Sequence, residues 1–444
     1  MRHHGGIGYI GQLTHMDIKK HHVLVFPAGS EIGLEIFNSL KYSHHVEVFG
    51  ASGKSDHASF VYETDHYIED MFYIDRSDFI DRFNRMLCVH QIEYIYPTHD
   101  TIACFLAEHQ SELKAKVLTS CFETNRIARF KRHTYRVFRP FDFCPVVYAA
   151  PYPQLPFPAF LKPNDGQGGK GTYLAENQSD LSFYIKKDPN LLVTEFLPGE
   201  ELSVDCFTDF NRKLQFIGPR TRERIQMGIS FRSTAVQVTE EIKHIARCIN
   251  ETVLLDGAWF FQLKKDSNGA FKLMEFAPRQ SSTMGLYRHT GVNFALLTLF
   301  NAMGKLVEIL PNNYAVQLDR CLLNRFKADL TYKRVYIDFD ETLVVERHVH
   351  DHAMAFLYQC RNRGIHTVLI TKHQHNLTES LRAYGIAETL FENIIHISEA
   401  EEKWRFINPE EAIFIDNYWF DRREVKEKLG IPVFDVDGIE CLLR

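Results

Sequence analysis

Short apolar runs, each closed by a small or polar residue, recur at both ends of this chain and dictate its architecture. Near the start they are "HHVLVFPAG", "HVEVFGAS" and "IEYIYPTHD"; between the first two, "SEIGLEIFNSLKYS" carries Ile32, Leu34, Ile36, Phe37 and Leu40 at helical spacing. Near the end, "RVYIDFD", "HTVLIT", "NIIHIS", "EAIFID" and "PVFDVD" repeat the alternation. Strands alternating with helices predict parallel sheets, because a strand that returns in the same direction needs a crossover. At 444 residues the chain is too long for one core. We expect a multidomain protein mixing α/β and α+β parts. An irregular leader covers 1–20, a Rossmann-like domain 21–120, a second domain 121–325, and a parallel-sheet domain 330–444.

The turn "PAGSEIG" lacks the full GxGxxG fingerprint, and no acidic residue closes the second strand. It reads as a strand-to-helix turn that needs glycine for steric reasons. A net charge of −6 offers no electrostatic footprint for nucleic acid or anionic membrane, and no apolar run reaches the ~20 residues that span a bilayer. The nine cysteines are scattered without a CxxC pair, which suits free thiols in a reducing, cytoplasmic setting.

The middle of the chain carries a phosphate-binding pattern. "FPAFLKPNDGQGGKGTYLA" is a strand bearing Lys162 that turns through Gly166, Gly168, Gly169 and Gly171 into a second strand. Glycines let backbone amides approach phosphate oxygens, and a strand lysine adds a point charge. A flexible hairpin turn has the same composition, so the loop alone decides little. Upstream, "TSCFETNRIARFKRHTYRVF" reads as one basic helix and "APYPQLPFPAF" as an extended lead-in. Downstream, "LLVTEFLPGEELSVDCF" is a strand, an acidic turn and a strand. "GAWFFQLKKDSNGAFKLMEFAPRQSST" is a hairpin that sets Gln262 beside Glu275, followed by Arg279.

In this order the elements resemble the ATP-grasp superfamily, nearest its carbamoyl-phosphate-synthase-like branch, over residues 20–310, with the first segment as the pre-ATP-grasp domain. The resemblance implies that Lys131 and Lys162 neutralise ATP phosphates under the 166–171 loop, Gly168 and Gly169 included. It implies that Glu195–Leu197 reads adenine through its backbone and that Glu201 accepts from the ribose. Glu275 with Gln262 would hold Mg2+, and Arg279 with Arg220 or Arg222 would steady the transferring phosphoryl group or an acyl phosphate. Where the family shows an Asn two residues after the metal-binding Glu, this chain has Ala277, so the second metal site would be weakened, or filled by water or a side chain such as Ser281.

In the last segment Asp338 and Asp340 follow the strand "RVYI". One carboxylate can attack phosphorus while the other serves as general acid and then base. "DFDETL" resembles the first motif of haloacid-dehalogenase-like (HAD) phosphohydrolases. The resemblance implies that Thr371 holds phosphoryl oxygens and that Lys403 offsets the phosphoaspartate. Asp416 would bind Mg2+ with Asp338 and the Asp340 backbone carbonyl, assisted by Asn417 or Asp421. The short spacings leave no room for a large cap. The histidines of "RHVHDH" and "KHQH" read as substrate-contacting or solvated, with a transition-metal site as the alternative.

These patterns add up to an expectation of a bifunctional enzyme using ATP and Mg2+. One part would join a small-molecule carboxylate to an amine through an acyl phosphate. The other would hydrolyse a phosphorylated metabolite. Nucleic acid and membrane are not expected partners, and a homodimer is left open. The competing expectations are a regulatory protein whose ATP-grasp region binds nucleotide without turnover, and an active phosphatase on a scaffold that presents substrate.

Overall fold

The computed structural model describes residues 19–443 except 153, 154, 167 and 227, so nearly all of the expected leader lies outside the described residues. The chain divides into two compact units, one ending at Leu322 and the other starting at Leu323.

The first unit opens with β1 (His21–Phe26), α1 (Glu31–Leu40), β2 (Val46–Ser52), β3 (Tyr67–Glu69), α2 (Phe79–Val89), β4 (Tyr94–Pro97), α3 (Asp100–Glu108) and β5 (Lys116–Val117). The strands form a parallel sheet in the order β3-β2-β1-β4-β5. β1 is apolar from Val23 to Phe26 because both faces are covered there: Leu24 and Phe26 join one core, Val23 and Val25 another. At the β1–α1 turn Ser30 caps the helix by accepting from the Gly33 amide at 2.9 Å. Gly29 has no room for a side chain, since a Cβ there would fall 2.2 Å from the Asp56 carboxylate.

The expected single basic helix is instead two, α4 (Phe122–Arg129) and α5 (Lys131–Phe138). Phe130 between them is extended (φ −112°, ψ 110°), which frees the Lys131 amide to bond the Asn164 carbonyl at 2.9 Å. Composition could not show this break, because the bond that replaces the helical one comes from a loop more than thirty residues away.

Next come β6 (Val147–Tyr148), β7 (Ala159–Lys162), β8 (Tyr173–Ala175), α6 (Gln178–Lys187) and β9 (Leu192–Glu195), forming an antiparallel sheet β6-β9-β7-β8. They are followed by β10 (Glu201–Thr208), β11 (Leu214–Thr221), β12 (Arg224–Gln226), β13 (Ile229–Thr234), α7 (Glu240–Thr252), β14 (Gly257–Lys265), β15 (Phe271–Ala277), α8 (Gly285–Arg288), α9 (Phe294–Ala302) and β16 (Gln317–Asp319). Here the main sheet is antiparallel, β11-β10-β14-β15, and β12-β13-β16 form a smaller one. α7 buries Ile242, Ile245, Ala246 and Ile249, one helical face, against Trp259 and Phe261. α9 returns to the first sheet, packing Ala295 and Leu299 on Val23 and Val25, and the Tyr96 hydroxyl donates to the Ala295 carbonyl at 2.8 Å. That return makes everything up to Leu322 one unit.

The second unit contains β17 (Arg334–Ile337), β18 (Val344–Val345), β19 (His348–Val349), α10 (Asp351–Asn362), β20 (His366–Thr371), α11 (Leu377–Ala383), β21 (Asn393–His396), β22 (Ala412–Ile415), α12 (Trp419–Leu429) and β23 (Val433–Phe434). Its parallel sheet runs β21-β20-β17-β22-β23. Val335 and Ile337 face one core and Tyr336 the other, which again accounts for an unbroken apolar run. Only the β18–β19 hairpin separates β17 from α10. All nine cysteines are free thiols, and no helix of the described residues is long and apolar enough to cross a membrane.

Candidate functional site

In the first unit, residues from several regions surround a cavity of about 640 Å³. Ser30–Ile32 and Thr98–Asp100 come from the turns that leave β1 and β4. These are the strands where the order of the first sheet reverses, and open parallel sheets hold ligands in the crevice at such a point. The other walls are Lys131, the loop at Gly166, Gly168 and Lys170, Ser203, Arg220 and Arg222 on β10 and β11, and the β14–β15 hairpin with the segment that follows.

The hairpin delivers the expected pair. Gln262 and Glu275 are register partners on β14 and β15, and both line the cavity. Lys131 donates to the Gly166 carbonyl at 2.8 Å and lies 3.4 Å from the Glu275 carboxylate, so it ties the glycine loop to the hairpin. The loop also rests on the β12–β13 turn. A Cβ on Gly228, whose φ is +75°, would sit 2.2 Å from Gly168 Cα, an approach only glycine allows.

Lys162 is buried under Tyr135. Its ammonium donates to the Tyr135 hydroxyl and lies 4.8 Å from the ring centre, and that hydroxyl donates to the Met274 carbonyl at 2.7 Å. Burial first, and the nearby Lys131 second, pull the Lys162 ammonium down to about 7. The folded value lies below the ordinary 10.5, so the unfolded chain binds more protons between about pH 7 and 10.5. The cost of burying this charge is therefore complete below pH 7 and lifts as pH rises through that window. Two crowded ammonium groups fit a polyanion, which would supply the missing counter-charge. Binding of Mg-ATP at pH 8 should then take up close to one proton. Titration calorimetry in buffers of different ionisation enthalpy measures this, and Lys162→Met should abolish the uptake.

Several expected residues are placed differently. Lys162, Gly169, Glu195, Leu197 and Glu201 are not among the residues that line the cavity. The Glu195 carboxylate accepts from the Val146 amide at 2.8 Å, and Glu201 is paired with Arg222 at 2.6 Å. Arg220 is almost wholly buried and grips Asp205 at 2.6 and 3.0 Å. It also donates to Ser281 at 3.0 Å, which ties up the hydroxyl expected to compensate for Ala277. Arg279 forks onto Asp100 at 2.6 and 2.8 Å. Burial pushes the Asp100 carboxyl up, but Arg279 outweighs it and holds it below the usual carboxylate range. A basic residue in a sequence does not show which carboxylate will claim it, and Asp100 lies 179 positions from its partner. Asp100, His99, Ser30 and Tyr135 were missed by sequence reasoning; the strand-order reversal was the signal for the first three.

In the second unit a cavity of about 490 Å³ brings together Asp338, Asp340, Thr371 and Lys403 from the loops at the strand ends, with Asn417 and Asp421. Lys403 is the hub, 2.8 Å from Asp338, 2.6 Å from Asp416 and 3.5 Å from Asp421. Asp416 is fully buried behind the cavity and accepts from the Tyr418 amide at 2.7 Å. Burial and the neighbouring Asp338 raise the Asp416 carboxyl to about 7 despite the Lys403 contact, because one ammonium cannot neutralise two buried carboxylates. Burial likewise raises Asp338. Lys403 goes up too, its two carboxylate partners outweighing burial.

Among the described residues no group of three or more His, Cys, Asp or Glu side chains is placed to hold a metal. Asp338 and Asp416 still fit Mg2+, which takes few carboxylates and completes its shell with water and phosphate oxygens. A cation between them would relieve their repulsion. Because Mg2+ would compete with the Asp416 proton, its affinity should rise about tenfold per pH unit up to pH 7. Titration of Mg2+ at pH 5, 6, 7 and 8 checks this, with Asp416→Asn removing the dependence. His373, read from sequence as substrate-contacting or solvated, bonds Asp340 at 2.9 Å.

Residues 187–320 match a family model described as ATP-grasp in the biosynthetic pathway with Ter operon. Three solved structures resemble the chain. The biotin carboxylase domain of Hydrogenobacter thermophilus 2-oxoglutarate carboxylase, solved with MgADP, ADP and bicarbonate, is 14% identical; the match covers 67% of this chain and 73% of that one with a TM-score of 0.55. The L-amino acid ligase of Bacillus licheniformis is 18% identical over 66% and 77%, TM-score 0.53. The N5-carboxyaminoimidazole synthetase of Staphylococcus aureus, solved with ADP, is 15% identical over 66% and 79%, TM-score 0.54. A search of curated proteins finds no match. The chain thus contains an ATP-grasp fold.

Proposed function

We propose that the chain is a bifunctional enzyme: an ATP-dependent carboxylate–amine ligase joined to a Mg2+-dependent HAD-type phosphatase, acting on small molecules. The observation that carries the ligase reading is the cavity itself. It unites the Lys131-tethered glycine loop, the Gln262–Glu275 pair and the switch-point crevice. Those walls suit ATP phosphates on one side and an acceptor on the other. The substrate carboxylate oxygen would attack the γ-phosphorus as the bond to the β-phosphate oxygen breaks, giving an acyl phosphate and ADP. The amine would then attack the carbonyl, release phosphate and lose a proton. Lys131 and Lys162 would offset the phosphate charge, Glu275 and Gln262 would hold Mg2+, and Arg279, fixed by Asp100, would face the transferring group.

In the second unit Asp338 would attack the phosphorus of a phosphate monoester while Asp340 gives its proton to the departing oxygen. Asp340 would then take a proton from water as that water displaces phosphate from Asp338. Lys403 and Thr371 would hold the nucleophile and the phosphoryl oxygens. Asp338, Asp416 and the Asp340 carbonyl would hold Mg2+, which would supply charge neutralisation there.

The test is ADP formation from Mg-ATP with pools of carboxylates and amines, and phosphate release from phosphate esters without ATP. ADP that requires both pools supports the ligase. Tight ATP binding without ADP supports the nucleotide sensor, a reading favoured by the engagement of Arg220, Arg222 and Arg279 with carboxylates of the protein itself.

A further inference from the structure

The Asp340 side chain is 53% accessible, yet it is not free to turn. His373 Nδ1 lies 2.9 and 3.0 Å from its two oxygens. On the far side of the ring, Nε2 lies 2.8 Å from Ser380 Oγ on α11. The imidazole meets the Phe339 ring edge-on at 4.9 Å, and the His373 carbonyl accepts from His396 Nε2 at 2.6 Å. A side chain gripped on all these sides is only 8% accessible. Nδ1–H can donate to one Asp340 oxygen and leave the other to carry the proton that the carboxyl gives up, while Nε2 lies within hydrogen-bond distance of the Ser380 hydroxyl. Ser380 does not line the cavity, which argues against a nucleophilic serine and for an anchor.

Resting on the phosphatase reading above, we propose that His373, braced by Ser380, is a positioning residue that aims the Asp340 carboxyl at the leaving-group oxygen. Asp338 is held by Lys403, whose ammonium also offsets charge. Asp340 is held instead by the His373 imidazole. Its task is geometric, since a proton donor works only within hydrogen-bond reach of the oxygen that departs, and ~1 Å of misplacement costs on the order of 10²-fold.

The distinguishing readout is kcat/KM, which includes only the steps up to departure of the leaving group, on two esters. p-Nitrophenyl phosphate releases a stable anion and needs little help from an acid; glycerol 3-phosphate releases an alkoxide and needs a proton. His373→Ala should lower kcat/KM on glycerol 3-phosphate about 10²-fold and change it less than about threefold on p-nitrophenyl phosphate. His373→Asn, whose amide nitrogen can replace Nδ1, should restore most of the loss, and Ser380→Ala should show a smaller loss of the same selectivity. Equal losses on both esters, or none on either, would overturn the positioning role. Phosphate release from neither ester by the wild type would overturn the phosphatase reading and this inference with it.

Discussion

Asp338→Asn is expected to stop phosphate-ester hydrolysis, lowering kcat by roughly 10⁴-fold or more, as removal of a nucleophile does elsewhere. The amide is nearly isosteric, but it lacks the charge and lone-pair strength to attack phosphorus. It also takes one of three buried carboxylates from Lys403, leaving that ammonium Asp416 at 2.6 Å and Asp421 at 3.5 Å. The substitution should therefore not unfold the second unit. Steady-state phosphate release, with a melting curve as control, measures the effect. ADP formation by the first unit should be unchanged.

Glu275→Gln is expected to have the mirror effect, lowering ADP formation by about 10²–10³-fold, as loss of one charge-stabilising group does. Glu275 is the carboxylate opposite Gln262 and lies 3.4 Å from Lys131. Neutralising it would remove the hard oxygen ligand proposed for Mg2+ and a counter-charge beside Lys131. Affinity for ATP without metal should change little, because the cationic groups remain. Comparing nucleotide affinity with and without Mg2+ separates these two contributions.

What could be read from residues alone followed from burial on both sides of a sheet. β1, β4, β17, β20 and β22 are apolar runs because cores lie on both their faces, and that pattern is visible in one dimension. The hairpin was legible too, but the facing of Gln262 and Glu275 was not, because an irregularity between Gln262 and Leu263 shifts the register set at the turn. The break at Phe130 was hidden because a distant carbonyl, Asn164, makes it. The fates of Arg220, Arg222 and Arg279 were hidden because charge pairing is a three-dimensional competition. Asp205 won Arg220 from the adjacent strand, and Asp100 won Arg279 from the far sheet. His373 falls between these cases. Its position two residues after Thr371 puts it near the site, but only the fold shows that it holds Asp340.

The central claim is that two independent chemistries share this chain. The most direct test measures ADP formed from Mg-ATP with carboxylates and amines, and phosphate released from esters without ATP, in the wild type, Glu275→Gln and Asp338→Asn. The account predicts that Glu275→Gln loses only the first product and Asp338→Asn only the second. Loss of both products in either variant, or of neither in both, would contradict it.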